Sequence, residues 1–532
     1  MQIFSSIKRL FQFDNVPGEF ELLETEKGEP SYFGGWPEES RKTGEKQFDI
    51  APEVEENIRR LKQEFRADIN GDIIIRRFSL GGEVPATVAC IDGMVDGSRI
   101  NDFILRDGMR PGCMKDAKRP YTTYTAEHVF TVVETKFEKE WGTVKKAILE
   151  GRSAIFIEGE TEVLVMDTRG YDKRGVESAQ NEKVVRGPQE AFNENLRTNI
   201  TLIRRIVRTD DLVCEMRYTG GDNNTLMAVL YREGTANETL VNEVKRRLAV
   251  INTRMVMSTG VIEQLTEKHT LWPLPQILSS ERPDRAASFL MEGHVVVLCD
   301  GSPYANIMPV TLFALMNSPE DIYVKQPLGT VIRIARYIGA ALSILLPGAF
   351  LAAAIFHPGL LSTEILSTII ASRKMVFASI GNELIFLMIV FQLVREAGLR
   401  VPGSIGQAIG IIGGLILGQA AVAANLVSSV VLILVALTGL GNFCMPDYAT
   451  QLAASYFRLF FVLSAWIGGL LGLSVALVLT VAWVATIKSY GVPFLSPLAP
   501  KTYSKRPLVM RGKINMHQRA ADYMNTGSEK RA

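Results

Sequence analysis

One stretch constrains the whole chain: residues 331–487 carry only 7 basic and 4 acidic side chains across 157 positions. A water-soluble fold spreads charge along its length, so a block this poor in charge reads as lipid-embedded helices. The flanks behave differently. Residues 1–330 hold 42 Lys+Arg against 51 Asp+Glu, a net of −9, and residues 488–532 hold 9 against 2, a net of +7. The large polar half is acidic, which disfavours nucleic acid as a partner, because phosphate binding needs clustered Lys and Arg. At 532 residues the chain needs two to four folding units.

Within the apolar block, Tyr337–Phe356 is 20 residues without a charge, about what a helix needs to cross a roughly 30 Å hydrocarbon layer. Met375–Val394 is as long but contains Glu383. Val401–Pro446 is uncharged and holds two spans with a break near Ala424–Asn425. Leu459–Ile487 suits one long, tilted span better than two. That makes about five segments. Lys325, Arg333 and Arg336 before the first span, and Lys488, Lys501, Lys505 and Arg506 after the last, put both ends on the cytoplasmic side. Five crossings conflict with that. Either one segment is re-entrant, the Glu383 segment first, or the last stretch breaks at Gly468–Gly469 and Gly472.

Gly406, Gly410, Gly414 and Gly418 form an i, i+4 row that lets another backbone approach closely, within the subunit, between subunits or at a pore wall. Gln407 and Gln419 border it. Glu383 is costly at membrane depth, so it faces an ion path or is neutralised by Arg373, Arg395 or Arg400. Arg395-Glu396-Ala397-Gly398 reads as a charged cytoplasmic junction.

The polar half divides in two. Pro52 opens a helix with Val54, Ile58, Leu61 and Phe65 on one face, followed by strands at Ile73–Leu80 and Ala86–Ile91. Ile100–Leu105 starts a helix, and Ser153–Ile157 with Glu162–Met166 makes a hairpin. In the second part Glu190–Arg208 reads as helix, and Leu212–Tyr218 and Leu226–Tyr231 as strands. Thr235 with Glu238 forms a capping box, Val295–Cys299 is a buried strand, and Ser318-Pro319-Glu320-Asp321 starts a helix toward the membrane. The fold class is therefore α+β with membrane: two small α/β domains, then a polytopic helical domain. The boundaries fall at 1–50 for a loosely ordered arm, 51–185 and 186–328 for the soluble domains, 329–490 for the membrane domain, and 491–532 for a basic tail.

No catalytic pattern emerges. The five histidines lack metal-ligand spacing, there is no phosphate loop or nucleophile elbow, and five scattered cysteines form no CxxC pair. Arg204-Arg205 and Arg246-Arg247 read as solvated charges or intramolecular ion pairs. Neither an enzyme nor a cofactor is expected. The start lacks an apolar signal core.

Particular residues resemble a known family. Arg186-Gly187-Pro188-Gln189-Glu190-Ala191-Phe192, with Asn199 and Leu202-Ile203-Arg204-Arg205, is similar to a signature of the bacterial spore germination receptor A subunits. Arg282-Pro283-Asp284 after Glu281, Asp300-Gly301-Ser302-Pro303, Arg395-Glu396-Ala397-Gly398, Gly418-Gln419-Ala420-Ala421-Val422 and Gly491-Val492-Pro493 continue it in order. The resemblance spans roughly residues 50–500. It implies a multi-pass protein of the spore inner membrane with its soluble domains and tail on the core side. It also implies a transporter-like B subunit and a C-subunit lipoprotein as partners, self-association, and a nutrient-gated ion channel. The alternatives are the paralogous AF protein of the spoVA locus, a germination channel amplifying ion release, and a secondary transporter. The transporter would need matching broken helices in two halves, and no such repeat is visible in the membrane block.

Overall fold

The structure, a computed structural model, describes residues 49–170, 178–268, 272–400 and 418–499, together with Met524. The first 48 residues and residues 500–532 apart from Met524 lie outside that set, as do Gly406, Gln407, Gly410 and Gly414.

The first unit opens with helix α1, Val54–Glu64, whose Val54, Ile58 and Leu61 are buried as their spacing requires. Then come β1 (Ile73–Leu80), β2 (Val84–Ile91), α2 (Tyr121–His128), β3 (Thr135–Glu138), α3 (Trp141–Leu149), β4 (Ser153–Ile157) and β5 (Val163–Met166). Between β2 and α2, Asn101–Leu105 is a π-helical turn inside a short helical run. The sheet order is β1-β2-β4-β5-β3, and every pairing is antiparallel. Because β4 and β5 are buried on both faces, they read as continuous apolar runs rather than alternating ones.

The second unit repeats this plan. It runs α4 (Leu196–Ile206), β6 (Leu212–Thr219), β7 (Thr225–Arg232), α5 (Glu238–Ala249), α6 (Thr259–Thr266), β8 (Leu278–Ser280), α7 (Pro283–Met291), β9 (Val295–Cys299) and β10 (Ala305–Met308). Its sheet order, β6-β7-β9-β10-β8, is that of the first unit element for element, again antiparallel throughout. Val54 and Leu196, Trp141 and Pro283, Ser153 and Val295, and Val163 and Ala305 open corresponding elements, each pair 142 residues apart.

The hydrogen bonds repeat with the same spacing. Asn57 bonds both backbone groups of Ala51, and Asn199 both backbone groups of Asn193. Glu158 accepts from the first N–H of α1 at 2.9 Å, and Asp300 from the first N–H of α4 at 3.1 Å. Gly159 and Gly301, both with positive φ, donate to Pro52 and Glu194 respectively. Each carboxylate thereby satisfies an orphan donor at a helix start.

Two expectations shift here. The helix expected over 190–208 begins only at Leu196, because Asn195 accepts from the Thr198 N–H and caps it there. The cap of α5 is Asn237, which accepts from Thr239, rather than Thr235.

Short helices α8 (Leu312–Met316) and α9 (Glu320–Tyr323) lead into the helical region. That region contains α10 (Gln326–Phe356), α11 (Thr363–Arg373), α12 (Ile380–Arg400), a helical turn at 418–423, α13 (Ser429–Phe443) and α14 (Tyr448–Thr486). Two of these, α10 and α14, are long and apolar enough to cross a bilayer.

The last helix departs from the single tilted span. Gly469 has φ 57 and ψ −140, a conformation that side-chain-bearing residues rarely adopt. Phe457 and Trp483 are 26 positions apart, about 39 Å on a straight helix, yet their rings lie 5.8 Å apart. A Cβ on Gly472 would collide with the Ser464 carbonyl. α14 is therefore two antiparallel helices folded back at Gly469. Both of its ends, through Ala453 and through Val484 and Ile487, enter the core of the second unit.

After α14, residues 488–494 dock on the same unit. Val310 N–H donates to Ser489 Oγ, Ser489 Oγ–H donates to the Gln276 carbonyl, and Phe494 is fully buried.

Candidate functional site

Of the residues singled out from the sequence, Arg282, Pro283 and Asp284 lie at one end of the helical region and Glu383 at the other. At the end adjoining the second unit, α7 starts with Pro283, whose missing N–H costs nothing at that position. Arg282, fully buried, precedes it. Its guanidinium donates to both Asp284 oxygens at 3.0 and 2.8 Å and to the carbonyls of Pro188 (2.8 Å) and Glu182 (3.2 Å). One side chain thereby holds the 182–188 segment against the start of α7.

Asp284 also accepts from Tyr323 Oη–H at 2.9 Å. Burial, and then the Asp284 carboxylate, push the Tyr323 phenol up to about 12, so it remains a donor at neutral pH. Gly187 lies beneath the Tyr323 ring with φ 127, where a Cβ would stand 2.7 Å from ring carbons. Arg285 pairs with Glu182 and donates to the Asn317 carbonyl at 3.1 Å. Phe192 is buried in the second unit's core, while Arg186 and Glu190 are exposed, Glu190 pairing with Arg205.

From there the contacts pass into α10. Asp321, 3 % exposed, accepts from Arg333 Nε at 2.9 Å and from Arg336 at 3.0 and 3.1 Å. Arg336 also donates to the Met316 carbonyl at 2.8 Å. The second unit, the α8–α9 connection and the first turns of α10 are thus joined by buried charge pairs. Removing one partner of such a set is far costlier than its net worth. Sequence reading took Arg333 and Arg336 as flanking charge and Asp321 as a helix start. Their separation of 12 and 15 positions gives no local pairing signal.

At the opposite end, Glu383 is 1 % exposed. Its Oε1 accepts from Ser428 N–H and Oγ–H, each at 2.5 Å, and Oε2 stands 3.5 Å from Arg373 Nε. Arg373, one of the three candidate counter-ions, stands beside it. Ser428 also caps α13, so Glu383 ties α11, α12 and α13 together. Gly381 packs on Trp466 near the Gly469 reversal, which places this knot at the far end.

Gln419 is exposed, and Gly418 faces Leu432. Gly406, Gln407, Gly410 and Gly414 lie outside the described residues. Arg395 approaches Tyr448, and Glu396 is exposed one residue on. Among the described residues no group of His, Cys, Asp and Glu is placed to hold a metal.

Two sheet units joined to a helical region with two helices long and apolar enough to cross a bilayer define a membrane-associated protein. The profile of the Bacillus/Clostridium GerA spore germination protein family matches residues 59–523. Spore germination protein KA of Bacillus subtilis is 32% identical over 453 residues, covering 85% of this chain and 82% of that protein. GerLA of Bacillus cereus is 31% identical over 454 residues, covering 85% and 92%. The crystal structure of the N-terminal domain of the A subunit of the Bacillus megaterium spore germinant receptor GerK3 is 27% identical. It covers 49% of this chain and 97% of that one, with a TM-score of 0.40. The chain belongs to the GerA family of spore germination receptor A subunits, a family of receptors and not of enzymes.

Proposed function

We infer that this chain is the A subunit of a nutrient-responsive germination receptor, oligomerising in the spore inner membrane beside a transporter-like B subunit and a C-subunit lipoprotein. On this reading 51–185 and 186–328 are soluble domains, 329–490 is a polytopic membrane domain and 491–532 is a basic tail. The soluble domains and the tail face the spore core. The reversal at Gly469 supports that orientation: dividing the last apolar segment makes the crossings even, so both ends return to one face without a re-entrant segment.

The observation that carries the functional reading is the tie from Arg282 and Asp284 through the half-exposed Tyr323 and the buried Asp321 to Arg333 and Arg336. It makes the second soluble unit and the first membrane helix move as one. Nutrient binding on the partner subunit then shifts a closed assembly toward an open one by favouring one packing of that joint unit. The membrane helices of several A subunits line an ion path. Gln407 and Gln419 face that path, Glu383 anchors its outer end, and Gly406, Gly410, Gly414 and Gly418 allow close helix contact.

Liposomes holding the A, B and C subunits test the reading: nutrient should release trapped monovalent cations, and Gly414→Leu should abolish or distort that release. Nutrient-independent vesicles with intact assembly would count against it. Membrane-impermeant labelling of Ser372→Cys and Asn425→Cys from one face, and of Ser504→Cys from the other, tests the orientation.

A further inference from the structure

The edge strands β3 and β8 hold one place in the repeated plan, yet they are covered differently. β3 pairs with β5, and β8 with β10, in the same register: Glu138 faces Val163, and 142 positions on in both strands Ser280 faces Ala305. Beyond β8 lies the segment 178–190, doubled back at the bridge of Ser178 to Glu190. Its Asn181 and Glu182 N–H groups donate to Glu281, Ser280 Oγ–H donates to Glu182, and Arg282 donates to the Glu182 and Pro188 carbonyls. Under that cover Leu278, Ser280, Glu281 and Arg282 are buried. The matching positions of the first unit are Lys136, Glu138, Lys139 and Glu140. All but the half-buried Glu138 are exposed, and Phe137 among them is 45 % exposed. An edge strand with an exposed aromatic ring is a place where a further segment adds on.

The chain enters both units alike. Asp49 forms an antiparallel bridge with Glu140, which maps onto Ala191 and Arg282, and there the Phe192 N–H donates to the neighbouring Glu281 carbonyl. Ile50 and Phe192, the next residues in line, are both buried. The residues leading up to Phe192 are the cover of β8. Those leading up to Ile50 at the same spacing are 36–48, outside the described residues.

Their sequence suits the β3 edge. Trp36 and Phe48 fall at the positions of Ser178 and Glu190, so an aromatic pair replaces the polar bridge, beside the exposed ring of Phe137. The receiving charges are inverted: Lys139 stands for Glu281 and Glu140 for Arg282. The segment carries the opposite charges at the matching places. Glu39 falls at Asn181, whose N–H meets Glu281, and Lys46 at Pro188, whose carbonyl meets Arg282. Lys139 pairs with Glu162, which leaves donors for a second carboxylate, and Glu140 accepts from Thr143 with one oxygen.

We propose that residues 36–48 of this chain cover the β3 edge as residues 178–190 cover β8, with Glu39 beside Lys139 and Lys46 beside Glu140. The first unit is then closed at this edge by its own chain rather than by a second copy. The two pairs are surface ion pairs, unlike the buried set in the second unit. The inference concerns the first unit alone and stands apart from the receptor reading.

The test uses the full chain purified in detergent, with the exposed Cys444 replaced by Cys444→Ser. Lys46→Cys combined with Glu140→Cys should form a disulfide under mild oxidation, found by peptide mass spectrometry in the monomer band of a non-reducing gel. A disulfide joining two chains assigns the edge to a neighbouring copy and overturns the proposal, and so does the absence of any disulfide. Hydrogen exchange gives an independent reading without cysteines. Lys139→Glu should speed exchange across Thr135–Glu138 about fivefold and leave Leu278–Ser280 unchanged. Adding Glu39→Lys should restore the slow rate, which loss of the Glu162 pair alone would not allow. Equal exchange in the wild type and Lys139→Glu, or no restoration in the double variant, overturns the proposal as well.

Discussion

The two soluble units share one topology and one set of helix-start hydrogen bonds, yet only the second is built into the helical region. Where the second has Arg282-Pro283-Asp284-Arg285, the first has Glu140-Trp141-Gly142-Thr143 at the corresponding positions. At the first unit's helix start no charged bracket forms, and the tryptophan packs into its own core instead. Both units keep the scaffold bonds, Glu158 and Asp300 among them, while a four-residue difference converts one helix N-terminus into a charged bracket. The repeated bonds maintain the fold; the divergent ones attach it to something.

If that division is right, the largest effect should come from the bracket's last link. Asp321→Asn leaves Arg333 and Arg336 buried without a carboxylate, and should destabilise the full chain by about 3–5 kcal/mol in denaturant or thermal unfolding. A loss below about 1 kcal/mol would mean that the units are joined to the helices by apolar packing alone.

Arg282→Ala and Glu140→Ala compare the bracket with its counterpart directly. The first should cost about 2–4 kcal/mol, because it strips Asp284 and two carbonyls of their donor. The second should stay within about 0.5 kcal/mol, as expected of an exposed surface change. Equal losses would break the comparison.

The second unit also meets the helical region through Glu263. Burial, then Glu267 and Asp447, push this carboxyl up to about 8 from 4.5. Over that window the folded chain holds a proton that the unfolded chain releases, so stability is highest below about pH 4.5 and falls as pH rises to about 8. Allowing for partial exposure, the decline from this group should be about 1–2 kcal/mol, and Glu263→Gln should flatten it in melting curves taken from pH 5 to 9.

The smallest effect tests sameness. Glu158→Ala and Asp300→Ala should each cost about 1 kcal/mol, because each removes one acceptor from a helix start. A difference larger than about 1 kcal/mol between them would show that the repeat is topological without being energetic.

Much of the scaffold was legible in the chain. The buried runs at Ser153–Ile157 and Val295–Cys299 and the face made by Val54, Ile58 and Leu61 announce their elements, because apolar periodicity reports burial directly. The repeat was not, because topology is conserved through backbone hydrogen bonds that few side chains record. Glu150-Gly151 matched by Glu292-Gly293, and Gly159 by Gly301, are among the few residues that betray it.

The reversal in α14 was legible only as an alternative, a break at Gly468–Gly469 and Gly472 raised by the parity of the crossings, because hydropathy is blind to φ. Counting uncharged residues from Leu459 also left Arg458 outside a helix that in fact encloses it. Glu383 was legible as an anomaly, and Arg373 could be named beside it, but Ser428, 45 residues away, could not.

The docking of residues 488–494 onto the second unit bears on how the chain is made. Ala453, Val484, Ile487 and Phe494 complete that unit's core, and Tyr490 joins its other face. A ribosome that has released residue 328 has therefore made a half-finished second unit, with an apolar face bare until α14 and residues 487–494 have followed. Translation order thus imposes a dependency: the second unit matures last, after the helical region that completes its core, while the first unit can close on its own.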